Sequence, residues 1–88
     1  MQVRARIERK LAAAFAPQRL EVVDESHRHE GHAGHRPGGE THFSVKIVSL
    51  VFAGLSRVER QRRVYAVLAD ELRAQVHALA LTTLAPGE

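Results

Sequence analysis

Apolar residues recur at every fourth position in the first fifteen residues of the chain, and mostly charged or small residues fill the positions between them. This spacing places the apolar side chains on one face of an α-helix, so the segment is predicted to be an amphipathic helix. Pro17 cannot sit in a helix interior and disfavours helical geometry at Ala16, so the helix should end there. The apolar face consists of Val3, Ile7, Leu11 and Phe15.

Three later segments have the alternation of apolar and polar residues that is typical of β-strands. The middle segment begins with this alternation and continues as an unbroken apolar run, which favours a longer, central strand. The predicted strands are Arg19–Val23, His42–Phe52 and His77–Leu84.

A second helix is predicted between the last two strands, from about residue 57 to residue 73. Ser56 and Glu59 have the spacing of a capping box, which satisfies two backbone amides at a helix start. The apolar residues that follow are expected to form a buried stripe. They are Val58, Tyr65, Leu68 and Leu72.

Between the first two strands, glycine, proline and histidine replace the regular pattern. The segment from Asp24 to Thr41 contains five glycine or proline residues that are incompatible with a regular core element. A loop of this length is unusual in a small domain and often carries function. Its histidines are His27, His29, His32 and His35.

The predicted order is α-β-β-α-β, in an α+β domain with two layers. A three-stranded sheet is marginal without a covering layer, so the two helices should pack on it. The last two strands can run parallel if they are neighbours, since a helix connects them. With 88 residues, the chain has room for a single domain, residues 1–88, with an exposed loop over residues 24–41.

The composition of the chain limits the metal ligands, partners and reactions that can be expected. The chain has no cysteine, so any metal must use nitrogen, oxygen or borrowed sulfur. The net charge of +3 leaves room for an acidic partner or nucleic acid. Without a long apolar run or a signal-peptide pattern, a cytoplasmic protein is expected, and membranes are not expected as partners. No nucleophile, base and orienting group form a catalytic set, so an enzyme is not predicted.

Several motifs, in matching order and spacing over about residues 7–83, resemble the BolA family. Where that family usually has Arg-His-Arg, this chain has Gln61 between two arginines, so any role of that histidine does not carry over. The matching motifs are Asp24-Glu25-Ser26, Gly39-Glu40-Thr41-His42-Phe43, Val45-x-Ile47-Val48-Ser49, Phe52-x-Gly54-x-Ser56, Arg60-x-Arg62-x-Val64-Tyr65, Glu71-Leu72 and Val76-His77-Ala78-Leu79.

The resemblance implies a fold similar to class II KH domains and a non-enzymatic role with a monothiol glutaredoxin as partner. In the mixed dimer, a [2Fe-2S] cluster would be held by a glutaredoxin cysteine, a glutathione thiolate and two residues of the BolA-like chain. By its motif, His77 matches the histidine at the start of the last strand. His32, flanked by Gly31, is the expected loop ligand, with His29 as its rival.

The remaining histidines have other predicted roles. His27 and His35 are expected to face solvent or to bind zinc or nickel adventitiously. For His42, structural hydrogen bonding is favoured over ligation.

Arginines crowd the first turns of the second helix, where the helix dipole disfavours positive charge. They are Arg57, Arg60, Arg62 and Arg63. Two interpretations stay open. The arginines meet phosphates, glutathione carboxylates or an acidic partner, or they form a solvated face that Glu59 partly neutralises.

The alternative function is a DNA-binding transcriptional regulator of the BolA type. Against it, a KH domain requires a Gly-x-x-Gly loop between two helices, and Gly31 to Gly34 has the spacing but not that position.

Overall fold

The computed structural model describes residues 3–25 and 41–88. An amphipathic first helix is followed by two strands, a 3-10 turn, two short helices in tandem and a last strand. These are α1 (Val3–Phe15), β1 (Arg19–Asp24), β2 (His42–Val48), the 3-10 turn (Leu50–Phe52), α2 (Arg57–Val67), α3 (Ala69–Ala74) and β3 (Ala78–Leu84). The prediction of a small α+β domain is confirmed, whereas the likeness to class II KH domains stays a prediction.

The sheet has the order β1-β2-β3. β1 and β2 pair antiparallel, with Leu20 opposite Ile47. β2 and β3 pair parallel, with His42 opposite Ala78, so the expected parallel pair is present. Because parallel strands begin at the same edge, the residues that precede β2 and β3 lie side by side.

The core lies between the helices and one face of the sheet. All four apolar residues predicted for the first helix are buried, and each is at most 4% exposed. Alternate residues of β2 meet them, namely Phe43, Val45 and Ile47. At Ala16 the backbone adopts a φ of 43° and its amide donates to Ala12 at 3.1 Å, which ends the helix directly before Pro17.

The predicted central strand was too long. β2 ends at Val48, and the apolar run that follows forms the 3-10 turn. The Ser49 hydroxyl accepts from the Val51 amide at 3.1 Å and donates to the Phe15 carbonyl at 2.6 Å. These bonds turn the chain away from the sheet, so Leu50 is 70% exposed rather than paired.

The second helix also differs from its prediction. The predicted cap at Ser56 is present, since Ser56 Oγ accepts from the Glu59 amide at 3.1 Å, which is one of the two hydrogen bonds of a capping box. The helix is divided at Leu68, where φ is −100° and ψ is 18°. Val58 and Tyr65 are 56% and 40% exposed, so these two do not belong to the buried stripe. The buried residues of α2, Leu68 and α3 are Arg60, Val64, Leu68 and Glu71, and two of these are charged, which an apolar pattern cannot reveal.

The predicted loop of residues 24–41 falls mainly outside the described residues. At its ends the prediction was wrong, since Asp24 is the last residue of β1 and Thr41 is only 7% exposed. Thr41 is buried because its carbonyl accepts hydrogen bonds from the chain entering β3. Among the described residues, no helix is long and apolar enough to cross a membrane.

Candidate functional site

One edge of the sheet brings together the end of β1 and the starts of β2 and β3. The Glu25 amide donates to the His42 carbonyl at 2.8 Å. The His77 amide donates to the Thr41 carbonyl at 2.7 Å, and the Ala78 amide donates to the same carbonyl at 3.3 Å. We refer to this region, formed by Asp24, Glu25, Thr41, His42 and His77, as the histidine edge.

His77 lies directly before β3 and is exposed. The chain on both sides of it is fixed, because the buried Val76 donates from its amide to the Glu71 carbonyl at 2.8 Å and Ala78 begins the paired strand. An imidazole on such a rigid backbone is presented to a partner at little cost in conformational entropy. The last strand was predicted to begin at His77, but β3 begins one residue later, at Ala78. The outward-facing position predicted for His77 is confirmed.

His42 is the first residue of β2 and is half-buried. Its Nδ1 lies 2.9 Å from the Thr41 hydroxyl, so the structural hydrogen bond expected for this residue is present. The rings of His42 and His77 are neighbours, with centroids 6.3 Å apart and planes inclined at 75°. The pair was not predicted, although both histidines open strands that were predicted to be parallel if adjacent.

The four histidines of the predicted loop, His27, His29, His32 and His35, lie outside the described residues. The described residues that flank this segment are Glu25 and Thr41, and both belong to the histidine edge. These two flanking residues therefore lie at the same end of the sheet as His77, where Thr41 accepts from the His77 amide and Glu25 is on the other side of β2.

Arg60 is buried, and its guanidinium group is held by several oxygens. It donates to the Leu55 carbonyl at 3.0 Å, to the Thr83 carbonyl at 3.1 Å, and to the two carboxylate oxygens of Glu88 at 2.6 Å and 2.8 Å. The hydrogen bond that Arg60 donates to Glu88 raises the pKa of Arg60 above its ordinary value. Arg60 is thus a structural residue of the core, and the structure separates it from the exposed cationic face predicted for it.

The other three arginines of that prediction, Arg57, Arg62 and Arg63, are exposed on α2. Arg62 and Arg63 lie 3.9 Å and 3.5 Å from Glu59 carboxylate oxygens. Exposed pairs at these distances contribute little to stability and leave the cations accessible. The arginine face of α2, which we define as these three residues, remains a candidate surface for anionic groups.

Within residues 3–25 and 41–88, no group of three or more histidine, cysteine, aspartate or glutamate side chains is placed to hold a metal ion. The described part of the chain therefore does not form a closed structural metal site, which usually has four protein ligands. A metal or cluster at the histidine edge would need ligands from elsewhere.

A two-layer α+β domain with a parallel β2–β3 pair and a histidine before the last strand defines a narrow class of small proteins. A family model described as BolA-like protein matches residues 11–88. The chain belongs to the BolA family.

Two relatives and one solved structure illustrate this membership. The chain is 53% identical over 83 residues to the DNA-binding transcriptional regulator BolA of Escherichia coli K12. This match covers 94% of this chain and 75% of that relative. It is 43% identical over 86 residues to Protein BOLA1, chloroplastic, of Arabidopsis thaliana, covering 96% of this chain and about half, 54%, of the relative. The structure of the BolA domain of SufE1 from Arabidopsis thaliana superposes with a TM-score of 0.84 at 43% identity, covering 94% of this chain and 91% of that one.

Proposed function

We propose that this protein is a non-enzymatic, cytoplasmic adaptor that binds a monothiol glutaredoxin and shares a [2Fe-2S] cluster with it, in cluster assembly, trafficking or iron sensing. The observation that carries the proposal is the position of His77. It is exposed on a fixed backbone at the sheet edge from which the segment that contains His32 departs and to which it returns.

The side chains of this protein can hold such a cluster only together with ligands from a partner. The chain has no cysteine, so the thiolates must come from the glutaredoxin and from glutathione. Two imidazoles replace two thiolates at one iron in known [2Fe-2S] proteins, which raises the reduction potential of the cluster. His77 and His32 are the proposed nitrogen ligands, with His29 as the alternative to His32.

The test is the absorption and circular dichroism of the glutaredoxin complex reconstituted with glutathione, iron and sulfide. We expect His77→Ala to remove the spectrum of the histidine-ligated cluster, while the exposed position of His77 leaves the fold intact. The double change His29→Ala and His32→Ala should have the same effect, and His27→Ala should have none. An unchanged spectrum with His77→Ala would show that His77 is not a ligand.

A second candidate function is regulation of transcription by DNA binding. The name of the Escherichia coli relative favours it, and the arginine face of α2 offers exposed cations. Because Arg60 is buried, the face consists of Arg57, Arg62 and Arg63. Three phosphate contacts predict a log-log slope of affinity against salt of about −3.

Titration of duplex DNA at several salt concentrations tests this candidate. Changing Arg62 and Arg63 together to Ala should reduce the slope to about −1. Arg73→Ala on α3, which removes an exposed arginine paired with Asp70, is the matched control and should leave the slope unchanged. A slope that is the same in the double variant, or no binding at moderate salt, would rule out this face.

A further inference from the structure

His42 and His77 are separated by 35 positions in sequence but are held together by the backbone. Both His77 and Ala78 donate their amides to the carbonyl of Thr41, the residue before His42. The parallel register places His42 opposite Ala78. The starts of the two strands therefore cannot separate without the loss of the first bonds of the β2–β3 ladder.

The distance between the two rings suits a bridging ion. The ring centroids are 6.3 Å apart, with one ring edge directed toward the face of the other. If the two nitrogens face each other across one ion, two bonds of about 2.0–2.1 Å together with the two ring radii span about this distance, whereas a tetrahedral ion would require the rings to lie about 1 Å closer. The exposed His77 ring must turn from its edge-to-face orientation for one nitrogen of each ring to reach such an ion, in the opposed positions that a tetragonal ion offers.

Thr41 orients the more buried ring. Its hydroxyl lies 2.9 Å from Nδ1 of His42, and Thr41 itself is only 7% exposed. In the tautomer in which Nδ1–H donates to this hydroxyl, the lone pair of His42 is on Nε2. Metal-binding histidines commonly have such a partner on the second ring nitrogen, since it fixes the tautomer and the ring orientation.

From these observations we propose that His42 and His77 together bind one divalent transition-metal ion in the isolated protein, of the Cu²⁺ or Ni²⁺ class, which favours tetragonal coordination. No third histidine, cysteine, aspartate or glutamate of residues 3–25 and 41–88 joins the pair, so the described residues supply two of the ligands of the ion. The site requires neither glutaredoxin nor a cluster, so it goes beyond the proposed function.

The experiment uses a full-length background variant in which His27, His29, His32 and His35 are changed to Asn. Because the chain has six histidines, this variant retains only His42 and His77. Cu²⁺ is the probe, since nitrogen sites bind it most strongly among the divalent first-row ions. We expect one Cu²⁺ per chain by calorimetry, and hyperfine coupling to two imidazole nitrogens by electron paramagnetic resonance.

Three further single changes on this background test whether His42 and His77 form the site. Either His42→Asn or His77→Asn should weaken binding about tenfold or more and leave coupling to one imidazole nitrogen. Thr41→Val should weaken binding about tenfold while both nitrogens remain coupled, because it removes only the orienting hydroxyl. Amide NMR spectra of each variant establish that the fold is retained.

The proposal is overturned if the background variant binds Cu²⁺ no more tightly than the same variant with both His42 and His77 changed to Asn. It is also overturned if only one imidazole couples to the ion in the background variant. Equal Cu²⁺ affinities of the two single histidine variants and their parent would also overturn the proposal.

Discussion

At the scale of single residues, Arg60 and Glu88 form a bidentate charged contact. The guanidinium group is buried and meets both carboxylate oxygens, and Glu88 also accepts from the Ala85 amide at 3.0 Å. The hydrogen bond from Arg60 is the main cause that lowers the pKa of Glu88, from an ordinary 4.5 to about 2. The contact joins α2 to the end of the chain beyond β3.

This lowered pKa predicts a pH dependence of stability. A carboxyl group whose pKa is lower in the folded state stabilises the fold above its unfolded pKa, and the stabilisation is lost as pH falls through the folded pKa. For Glu88 the loss should occur between pH 4.5 and about pH 2. We expect Glu88→Gln to lower the unfolding temperature at pH 7, and the difference from the parent to shrink toward zero as pH approaches 2.

Thermal unfolding of both proteins from pH 7 to pH 2 measures this effect. Glu8→Gln is the matched control, because the Glu8 and Glu88 side chains are similarly exposed, at 43% and 44%, and each faces an arginine. The arginine opposite Glu8 is itself exposed, so this change should have little effect on the unfolding temperature at any pH. Equal effects of the two changes would contradict the importance of the buried guanidinium group.

At the scale of elements, sequence periodicity predicted what depends on local pattern and missed what depends on a distant partner. The first helix was predicted correctly because its apolar face and the proline that follows it, Pro17, are both local signals. The β2 strand was extended too far because a short apolar run does not distinguish a strand from a turn. The bond that ends it joins Ser49 to Phe15, 34 positions away.

In the candidate site, too, the features with local signals were predicted and those that depend on distant partners were not. His77 could be found from a motif and from its place before a strand, and its exposed position was predicted correctly. The contact between His42 and His77 could not be found, since strand order was not readable from the sequence. Arg60 was assigned to the surface because charged residues are rarely buried unless paired, and its partner Glu88 lies 28 positions away.

At the scale of the whole molecule, the buried carboxylate of Glu71 on α3 forms ion pairs with two residues of α1. Glu71 is only 2% exposed, and its carboxylate lies 2.9 Å from Nζ of Lys10 and 3.3 Å from Nε of Arg6. Burial alone would raise the pKa of Glu71, but the hydrogen bond from Lys10, a backbone hydrogen bond and the charges of both cations outweigh it, so the pKa is lowered. The ionised form of Glu71 therefore stabilises the packing of α1 on α3.

This arrangement predicts that removal of the two cations lowers the unfolding free energy more than removal of the anion does. Arg6→Met with Lys10→Met leaves a buried carboxylate without a counter-ion, which should cost about 3 kcal/mol of unfolding free energy at pH 7. Glu71→Gln leaves two cations whose side chains are 29% and 36% exposed and can turn to water. It should cost about 1–2 kcal/mol, mainly through weaker hydrogen bonds.

The sign of the pH dependence provides an independent check of the same prediction. In the parent, the contribution of Glu71 is present above the unfolded pKa of about 4.5 and is lost as pH falls. In the variant without Arg6 and Lys10, only the backbone hydrogen bond still opposes burial, and burial is the larger effect. The pKa of Glu71 should therefore be raised, and its contribution should be lost as pH rises. Urea unfolding of the parent and the two variants between about pH 3 and pH 7, a range that includes the ordinary pKa of 4.5, measures both effects. If the double variant gained stability toward neutral pH as steeply as the parent, Glu71 would not be held in its ionised form by these two cations, and α1 would owe its position to apolar packing alone.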